Sequence, residues 1–288
     1  MAMTLRKIGQ GVRLLLDVGT WRDAVAEARR PRPSPRAAPE VRVIEDDPAG
    51  QRLVEVAGDR YWIPASMDWS SFGMLYPEVF DAAHPHYYEF GPCRVRPGDV
   101  VVDAGASEGL FTRFALARGA RVIAVEPFGP MAEALRRTFA PEVSAGTVRV
   151  EQAAVSDRPG VARLTLLDPS QPWGATVSPE GDGNGAGEVV HQVTIDELVE
   201  RSGWGRCDFL KMDVEGAERA AVAGASATLR RDRPRLSIAV YHFATGFVDI
   251  RGDLAAAGLG YVVRGKGMTR RRGVLVPTIL HAWPAGSD

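Results

Sequence analysis

The segment from Val100 to Thr112 constrains the fold of this chain more than any other segment does. It opens with three consecutive valines, which predict a strand buried on both faces of a parallel sheet. Asp103 ends this strand, and Gly105 and Gly109 allow the sharp turn and close backbone approach that precede a helix. A second apolar strand follows and ends at Glu126, about 20 positions after the first acid, which is the spacing expected of a carboxylate that binds ribose hydroxyls.

The residues of the turn also indicate which nucleotide-like ligand the chain prefers. A dinucleotide-binding turn has the pattern Gly-x-Gly-x-x-Gly, in which the backbone touches a pyrophosphate. Here Ser107 and Glu108 carry side chains into the turn, and Glu108 together with Asp103 would repel a pyrophosphate but attract a cation. S-adenosylmethionine, a sulfonium that also carries an α-amino group and a ribose, meets this requirement. A glycine turn without a ligand is the alternative, but the joint occurrence of both acids and the turn favours a binding site.

Composition argues against several classes of protein. The 288 residues are 45% hydrophobic and 25% charged with a net charge of −1, which is typical of one large globular domain with appendages and argues against a dedicated nucleic-acid binder. No apolar run reaches the roughly 18 residues of a membrane span, and residues 1–10 lack the hydrophobic core of a signal peptide, so we expect a cytoplasmic protein. Cys93 and Cys207 lie far apart and predict free thiols in a reducing compartment.

The chain is predicted to have three parts. Residues 1–40 form a flexible arm, because the proline-rich basic run at 29–36 cannot hold a helix. Residues 41–90 form an N-terminal extension, in which alternating strands around a turn at 46–50 predict a hairpin and an aromatic-rich segment follows. Residues 91–288 form the ligand-binding domain. A basic arm that docks a partner, and association of two copies through the extension, are left open by the sequence.

Strands and helices alternate from Val100 onward. Repeated strand–helix units with short connections predict a doubly wound, Rossmann-like α/β sheet of seven strands, with ligands bound outside the carboxyl ends of the strands. The predicted strands are Val100–Asp103, Val122–Glu126, Val148–Val155, Phe209–Asp213, Arg235–Tyr241, Tyr261–Val263 and Val274–Trp283. The predicted helices are Leu110–Arg118, Pro130–Phe139, Thr194–Arg201, Gly216–Leu229 and Val248–Ala257. Between them, Val161–Leu167 predicts an antiparallel ribbon and residues 170–189 predict a mobile polar loop.

A second group of acids follows the fourth of these strands. Asp213, Glu215 and Glu218 lie within six residues, and carboxylates crowded so closely need a cation, hydrogen-bond donors or solvent to relieve their repulsion. Asp213 should emerge at the same edge of the sheet as Asp103 and Glu126. For Glu218, interaction with the dipole of its own helix is an equal alternative.

His242 follows the fifth strand and should reach this edge as well. An imidazole there could take the proton from a substrate hydroxyl at neutral pH, as methyl transfer to an alcohol requires. Alternatively, Asp213, Glu215 and His242 could hold a divalent cation that lowers the pKa of the alcohol, and such a set suits transition metals better than Mg²⁺. A structural histidine is the third interpretation, so metal dependence stays open. His84 and His86 are predicted to be loop residues, with lining of the acceptor pocket as the lesser alternative.

At these positions the chain resembles the FkbM-type class I methyltransferases. In that family a Pro-Gly-Asp turn precedes the first strand, a turn of the form Asp-x-Gly-Ala-Asn-x-Gly follows it, Glu-Pro ends the second strand and Ala-Val-Ser-Asp follows the third. The matching segments here are Pro97–Asp99, Asp103–Gly109, Glu126–Pro127 and Ala154–Asp157. The most specific motif, Lys-x-Asp-x-Glu-Gly-Ala-Glu, is complete from Lys211 to Glu218. The likeness covers about residues 85 to 245, and it departs at Ser107, where the family usually has asparagine.

The resemblance implies an S-adenosylmethionine-dependent O-methyltransferase that acts on a hydroxyl of a sugar, a glycoside or a polyketide-type natural product. Carried over by position, the cofactor contacts would be Asp103, Gly105, Ser107 and Gly109 for the turn and the methionine part, Glu126 for the ribose hydroxyls, and Gln152 and Ala153 for the adenine. Asp213 would face the sulfonium and the acceptor. The first candidate for the general base that takes the acceptor's proton would be His242, followed by Asp213 or Glu215.

Two irregular segments, Ser66–Glu89 and Ser170–Gly187, are predicted to cover the acceptor. Trp69, Tyr87 and Trp173 are the candidates for stacking on a sugar. A nicotinamide-dependent reductase is strongly disfavoured, because the sequence lacks its Gly-x-Gly-x-x-Gly turn and its Tyr-x-x-x-Lys motif. The remaining alternative is a catalytically weak S-adenosylmethionine-binding module that docks partners through the Arg/Pro-rich arm.

Overall fold

The computed structural model describes residues 38–166, 168, 170–171, 175–179, 187–271 and 274–286. Most of the predicted arm and Trp173 lie outside the described residues. None of the helices within these ranges combines the length and the apolar character that a membrane span needs.

A three-stranded antiparallel sheet begins the described part of the chain. Its strands are β1 (Val41–Asp47), β2 (Gln51–Val56) and β3 (Asp59–Pro64). The hairpin predicted from the sequence is confirmed, and β3 is a strand that the sequence analysis missed. Trp62 donates a backbone hydrogen bond to Thr138 Oγ1 at 2.8 Å, and the Arg137 guanidinium lies 3.5 Å from the centroid of the Trp62 ring. These contacts anchor the sheet to the ligand-binding domain, although the division of the chain at residues 40 and 90 stays a prediction.

The remaining elements follow in chain order. The strands are β4 (Val100–Ala104), β5 (Arg121–Val125), β6 (Val148–Glu151), β7 (Ala154–Val155), β8 (Gly160–Leu166), β9 (Ala175–Pro179), β10 (Glu188–Val193), β11 (Phe209–Met212), β12 (Arg235–Ala239), β13 (Tyr261–Arg271) and β14 (Val274–Pro284). The α-helices are α1 (Phe72–Phe80), α2 (Leu110–Leu116), α3 (Gly129–Thr138), α4 (Ala140–Ser144), α5 (Ile195–Arg201), α6 (Glu218–Ala223), α7 (Ser226–Arg231) and α8 (Gly246–Ala256). A short 3-10 helix, Trp69–Ser71, precedes α1.

Seven of these strands form the central sheet, in the order β13-β14-β12-β11-β4-β5-β6. The five strands from β12 to β6 are parallel, whereas β14 runs antiparallel to both of its neighbours. The predicted doubly wound, Rossmann-like α/β fold is confirmed, and so is the antiparallel pairing of the last two strands. The strand order reverses between β4 and β11, which is where sheets of this kind bind their ligands.

The valines of β4 are buried on both faces of this sheet. Val101 belongs to a core that includes Phe111 and Leu135, and Val102 belongs to a second core that includes Leu198 and Leu236. Successive residues of a strand point to opposite faces, so the two cores lie on either side of the sheet. An uninterrupted apolar run is what a strand in this position requires.

The predicted third strand, Val148–Val155, is wrong beyond Glu151. The chain leaves the central sheet after β6, and β7 pairs in parallel with β10 in a second sheet, of order β7-β10-β8-β9. Apolar residues occur on both sides of this point, so the sequence pattern did not show where the chain changes its partner strand.

The predicted loop at residues 170–189 is also wrong in part, because β9 and the start of β10 lie within it. Its glycine-rich composition favoured a loop. However, β8 supplies backbone partners from a distant segment, with Val190 of β10 opposite Ala162 and Val177 of β9 opposite Leu164. The predicted antiparallel ribbon that contains β8 is confirmed.

Four of the five predicted helices are confirmed to within two residues at each end. Thr194 caps α5 as predicted, and its hydroxyl accepts a hydrogen bond from Glu197 N at 3.1 Å. The fifth prediction, Gly216–Leu229, is wrong in being continuous, because α6 and α7 are separate. At the break, a Cβ on Gly224 would lie 2.1 Å from the carbonyl oxygen of Ser156, so another segment crosses the helix there.

Replacing Gly224 by alanine is expected to lower the free energy of unfolding by about 1–3 kcal/mol, because the added methyl group would meet backbone that no rotamer change can move. The matched control is Gly252→Ala in the exposed part of α8, where an added Cβ would meet no further atom of the described residues within 4 Å. There the better helix propensity of alanine should raise the free energy of unfolding by up to about 1 kcal/mol. Urea unfolding measures both changes. Equal effects of the two substitutions would contradict this account of the break.

Candidate active site

A cavity of about 330 Å³ opens at the carboxyl ends of β4, β5 and β11. The turn after β4, the residue after β5 and the loop after β11 all line it, as the strand order predicts. Helix α1 and residues His86 and Tyr88 line another part of it, and β9 contributes Ala175 and Val177. Both segments that were predicted to cover an acceptor therefore contribute residues to this cavity.

Carboxylates dominate the charged lining of the cavity. Five of them line it: Glu78, Glu108, Glu126, Asp213 and Glu215. Lys211 and His86 line it too, but Lys211 Nζ lies 3.0 Å from the buried carboxylate of Asp103, which balances its charge. The cavity therefore favours a cationic ligand over an anionic one, in agreement with the interpretation of the turn.

Close backbone contact fixes the glycine turn to the neighbouring strand. Gly105 has a φ of +74°, and a Cβ at this position would lie 1.8 Å from the carbonyl oxygen of Asp213, so only glycine fits. Lys211 Nζ donates a hydrogen bond to the Gly105 carbonyl oxygen at 2.6 Å. The segments that follow β4 and β11 thus form one joined floor of the cavity.

Asp103 lies beneath this floor and does not line the cavity. Its carboxylate is fully buried, accepts a hydrogen bond from Thr112 Oγ1 at 2.7 Å and pairs with Lys211 Nζ at 3.0 Å. Burial alone would lower the pKa of Lys211, but the Asp103 carboxylate raises it, so the lysine stays charged. Asp103 thus positions the lysine and the turn from below, and the expected contact between Asp103 and the cofactor stays a prediction.

Two other residues of the turn have a left-handed backbone conformation. Gly109 has a φ of +86°, and a Cβ there would lie 2.6 Å from the Phe139 ring, so this glycine serves helix packing and does not line the cavity. Ser107 does line it, and its φ of +46° is one that asparagine adopts more readily than most residues. This conformation is a physical reason for the asparagine that FkbM-type chains usually have there.

Glu126 is held by backbone hydrogen bonds at the end of β5. Ser107 N donates to its Oε2 at 3.0 Å, and Phe128 N donates to its Oε1 at 2.9 Å. Burial raises the pKa of Glu126 to about 7; these two hydrogen bonds oppose the rise and the nearby Glu108 carboxyl adds to it. Burial also raises the pKa of Glu108. The carboxyl expected to bind ribose hydroxyls therefore titrates near neutral pH in the ligand-free chain.

The two residues expected near an adenine differ in position. Ala153 lines the cavity together with Ala154 and Val155. Gln152 is exposed and does not line it; its side chain lies beside Gly129 at the start of α3. Small apolar residues therefore form the wall of the cavity that follows β6.

His86 is a functional candidate that the sequence analysis assigned to a loop, with lining of the acceptor pocket as the lesser alternative. It is buried, lines the cavity, and its Nδ1 lies 2.6 Å from Glu78 Oε2 while its Nε2 lies 3.4 Å from Asp213 Oδ2. Tyr88 OH donates a hydrogen bond to the same Asp213 oxygen at 2.7 Å. Burial would lower the pKa of His86, but the carboxylates of Asp213 and Glu78 outweigh it and raise the pKa to about 9. Only the aromatic, histidine-containing run at 84–88 hinted at this role.

Asp213 is ionised at all ordinary pH values. Burial alone would raise its pKa, but His86, His242 and Lys211 together hold the pKa of this carboxyl well below its usual range. Asp213 is therefore a weak base, and it connects the segment at 84–88 with the loop after β12.

His242 lies among three carboxylates behind the cavity wall. Its Nδ1 is 2.7 Å from Glu218 Oε1, and its Nε2 is 3.3 Å from Glu215 Oε1 and 3.6 Å from Asp213 Oδ1. Burial would lower the pKa of His242, but these carboxylates raise it to about 10. In the ligand-free chain the three carboxylates thus favour the protonated imidazole at neutral pH, and the role of His242 as general base stays a prediction. Glu218 binds His242, so it does more than complement a helix dipole.

Neither Tyr87 nor Trp69, the two described candidates for stacking on a sugar, lines the cavity. Tyr87 is buried, with its hydroxyl donating to Glu89 Oε2 at 3.1 Å and its ring packed against Phe114. Trp69 is partly exposed in the 3-10 helix and is not a lining residue. The aromatic residues of the lining are instead Tyr88, Phe111 and Tyr241.

Comparison with known proteins identifies the class of this chain. Residues 103–263 match the model of the methyltransferase FkbM domain. The chain is therefore a methyltransferase with a doubly wound, Rossmann-like sheet. It belongs to the FkbM methyltransferase family, which confirms the resemblance drawn from its motifs.

Two relatives and one solved structure illustrate the likeness. The chain is 31% identical over 226 residues to 31-O-demethyl-FK506 methyltransferase FkbM of Streptomyces tacrolimicus, covering 68% of this chain and 81% of the relative. It is 27% identical over 180 residues to methyltransferase sdnD of Sordaria araneosa, covering 52% of this chain and 67% of the relative. The crystal structure of methyltransferase FkbM from Methylobacillus flagellatus KT is 18% identical with a TM-score of 0.48, covering 74% of this chain and 58% of that chain.

Removing the Lys211 charge should destabilise the fold strongly. Lys211→Met leaves the Asp103 carboxylate buried without its ion pair, and breaking such a pair costs about 3–5 kcal/mol of unfolding free energy. The double variant Asp103→Asn/Lys211→Met removes both charges and should recover part of that loss. Urea unfolding of both single variants and the double variant gives the coupling. Additive losses would show that the pair does not hold the two strands together.

Proposed function

We propose that this chain is an S-adenosylmethionine-dependent O-methyltransferase that acts on a hydroxyl of a sugar, a glycoside or a polyketide-type natural product. The observation that carries the proposal is the acid-lined cavity at the carboxyl edge of the sheet, with Glu126 at the end of β5. Membership of the FkbM family supports the same reaction. The relative from Streptomyces tacrolimicus is named for 31-O-demethyl-FK506, which is consistent with transfer to an oxygen.

The residues of the cavity fit a cationic donor. Glu126 would bind the ribose hydroxyls, and the backbone of Gly105 and Ser107 would contact the methionine part. Glu108 is 8% exposed, and its Oε2 has no hydrogen-bond partner in the described part of the chain. A buried carboxyl oxygen without a partner suits a ligand that brings a hydrogen-bond donor or a positive charge, as S-adenosylmethionine does.

The donor, when bound, supplies a methyl group on a positively charged sulfur. An acceptor oxygen forms a bond to the methyl carbon while the carbon–sulfur electron pair goes to the sulfur, and the hydroxyl proton is released. This chain would contribute mainly by holding the two reactants in line. The five acids of the lining would attract the positively charged sulfur of the donor, and Asp213 would face the acceptor.

The rest of the lining suits a small hydroxylated acceptor. It combines the aromatic rings of Tyr88, Phe111 and Tyr241 with a few charged groups. Apolar walls with a small number of polar groups are typical of small-molecule sites. A ring-shaped acceptor would meet both kinds of surface, which supports a sugar or polyketide-type compound over a macromolecule.

Calorimetry and mass spectrometry test the proposal together. S-adenosylmethionine should bind one to one, and incubation with a panel of glycosides and macrolides should yield a product heavier by one methyl group. Glu126→Ala should weaken donor binding about tenfold or more, because it removes a charge-assisted contact. The matched control Glu133→Ala alters an exposed acid on α3 and should change nothing. Binding without turnover on any acceptor would favour the docking-module alternative, and the absence of binding would overturn both.

Donor affinity should depend on pH through Glu126. Its pKa of about 7 means that the ligand-free carboxyl is protonated below this value and must ionise to attract the donor. Affinity should therefore fall about tenfold from about pH 8 to about pH 6 and level off above pH 8. Glu108 faces Glu126 and titrates too, while Lys211 opposes both shifts. Glu126→Gln isolates the effect of Glu126, and an equally steep dependence in this variant would contradict its role.

A further inference from the structure

We propose that Asp213, Glu215 and His242 form a binding site for one divalent first-row transition-metal ion at the edge of the cavity. One ligand atom from each of the three residues lies within 4.8 Å of the other two. The sequence left this site open as one of three alternatives for His242, and the geometry of the side chains now favours it. Metal binding itself is independent of the proposed function, whereas its catalytic consequence rests on that function.

The separations between these atoms are those of metal ligands. Atoms held at roughly 2.0–2.2 Å from an ion lie about 2.8–3.6 Å apart when the angle between them is between a right angle and a tetrahedral one. His242 Nε2 lies 3.3 Å from Glu215 Oε1 and 3.6 Å from Asp213 Oδ1. A charge-assisted hydrogen bond is shorter, about 2.7–2.9 Å. The other nitrogen of the ring makes such a bond, because His242 Nδ1 lies 2.7 Å from Glu218 Oε1.

Two of the three atoms that face the proposed ion are buried and lack hydrogen bonds. The His242 side chain is only 7% exposed, and neither its Nε2 nor Asp213 Oδ1 makes a hydrogen bond among the described residues. Buried polar atoms nearly always have a partner, so two of them that point at one place indicate a ligand there. The second oxygen of Asp213 already accepts from Tyr88, which leaves Oδ1 for the ion.

Glu218 supplies the support that a metal-binding histidine usually has. Such a histidine commonly gives its other ring N–H to a carboxylate, which fixes the tautomer and the orientation of the ring. Glu218 is 3% exposed and lies against His242 Nδ1, and its Oε1 also accepts from Val214 N at 3.1 Å and Gly216 N at 3.3 Å. The carboxylate is thus held in place by backbone, and it turns His242 Nε2 toward Asp213 and Glu215.

The ligand set also indicates the class of ion. One imidazole nitrogen with two carboxylate oxygens suits Mn²⁺, Fe²⁺, Co²⁺ or Zn²⁺. Mg²⁺ and Ca²⁺ prefer oxygen ligands alone. We therefore infer a transition metal, for which Mn²⁺ is the probe.

The location of the site gives the ion a role in the proposed reaction. Asp213 and Glu215 line the cavity, so an ion between them would face the acceptor. A hydroxyl bound to it would have a lowered pKa and would lose its proton to water before its oxygen attacks the methyl carbon. The carbon–sulfur electron pair still goes to the donor sulfur, and the ion keeps its charge throughout. This arrangement requires no free histidine base.

Mn²⁺ titration of the full chain tests the site without any methyl donor. The chain is first treated with a chelator, and free Mn²⁺ is then followed by electron paramagnetic resonance. We expect one Mn²⁺ per chain, and His242→Ala and Glu215→Gln should each weaken binding by at least about tenfold. Glu218→Gln should weaken Mn²⁺ binding, because the His242 ring would be less well oriented. The number of ions bound per chain should not change. The control His191→Ala changes an exposed histidine on β10 and should bind Mn²⁺ like the original chain.

Several outcomes would overturn the inference. These are an absence of stoichiometric Mn²⁺, Co²⁺ or Zn²⁺ binding, equal binding in the Glu215→Gln variant, or a preference for Mg²⁺. Because the Glu215 side chain is 34% exposed, its substitution should leave the fold intact. If His242→Ala does not fold, Mn²⁺ binding by the Glu215→Gln variant therefore tests the metal site. Calorimetry with S-adenosylmethionine in the presence of a chelator separates the two proposals. Donor binding without metal binding would contradict only the metal site. Metal binding without donor binding would contradict only the proposed function.

Discussion

A buried ion pair between Asp103 and Lys211 joins the two central strands of the sheet where the ligand cavity begins. Both side chains are almost fully buried, and such a pair is stable only when further hydrogen bonds satisfy its remaining atoms. Thr112 bonds to the carboxylate, and the Gly105 carbonyl oxygen accepts from the ammonium. The turn after β4 and the loop after β11 are therefore held together, and the floor of the cavity depends on them.

The same pair sets the charge of the site. Because Asp103 balances Lys211 beneath the floor, the five carboxylates above it are opposed chiefly by imidazoles. Asp213 stands between these imidazoles, with His86 and Tyr88 near one oxygen and His242 near the other. One carboxylate thus connects the segment that precedes the domain's first strand with the loop after β12. A positively charged ligand or ion relieves this crowding of acids, which is why both proposals concern cations.

The central sheet could be predicted from the sequence because its signals are local. Runs of β-branched residues, acids at strand ends and glycine turns occupy consecutive positions, as at Val100–Asp103. The second sheet could not be predicted, because β9 and β10 acquire their partners from β8 across a glycine-rich stretch. The break at Gly224 depends likewise on a distant backbone oxygen. The position of His86 in the cavity could not be fixed from the sequence, because an irregular segment has no periodicity that shows which side chains point inward.

The sequence by itself determined the alternation of strands and helices that builds the central sheet, the family motifs and which residue types reach the carboxyl edge, because each of these depends on neighbours along the chain. Only the tertiary structure decided which of those residues face the cavity and which charge they carry. Asp103 and His242 were both expected at the site, yet one is buried under Lys211 and the other is enclosed by three carboxylates. Protonation and access depend on distances between groups far apart in sequence, and folding alone sets those distances.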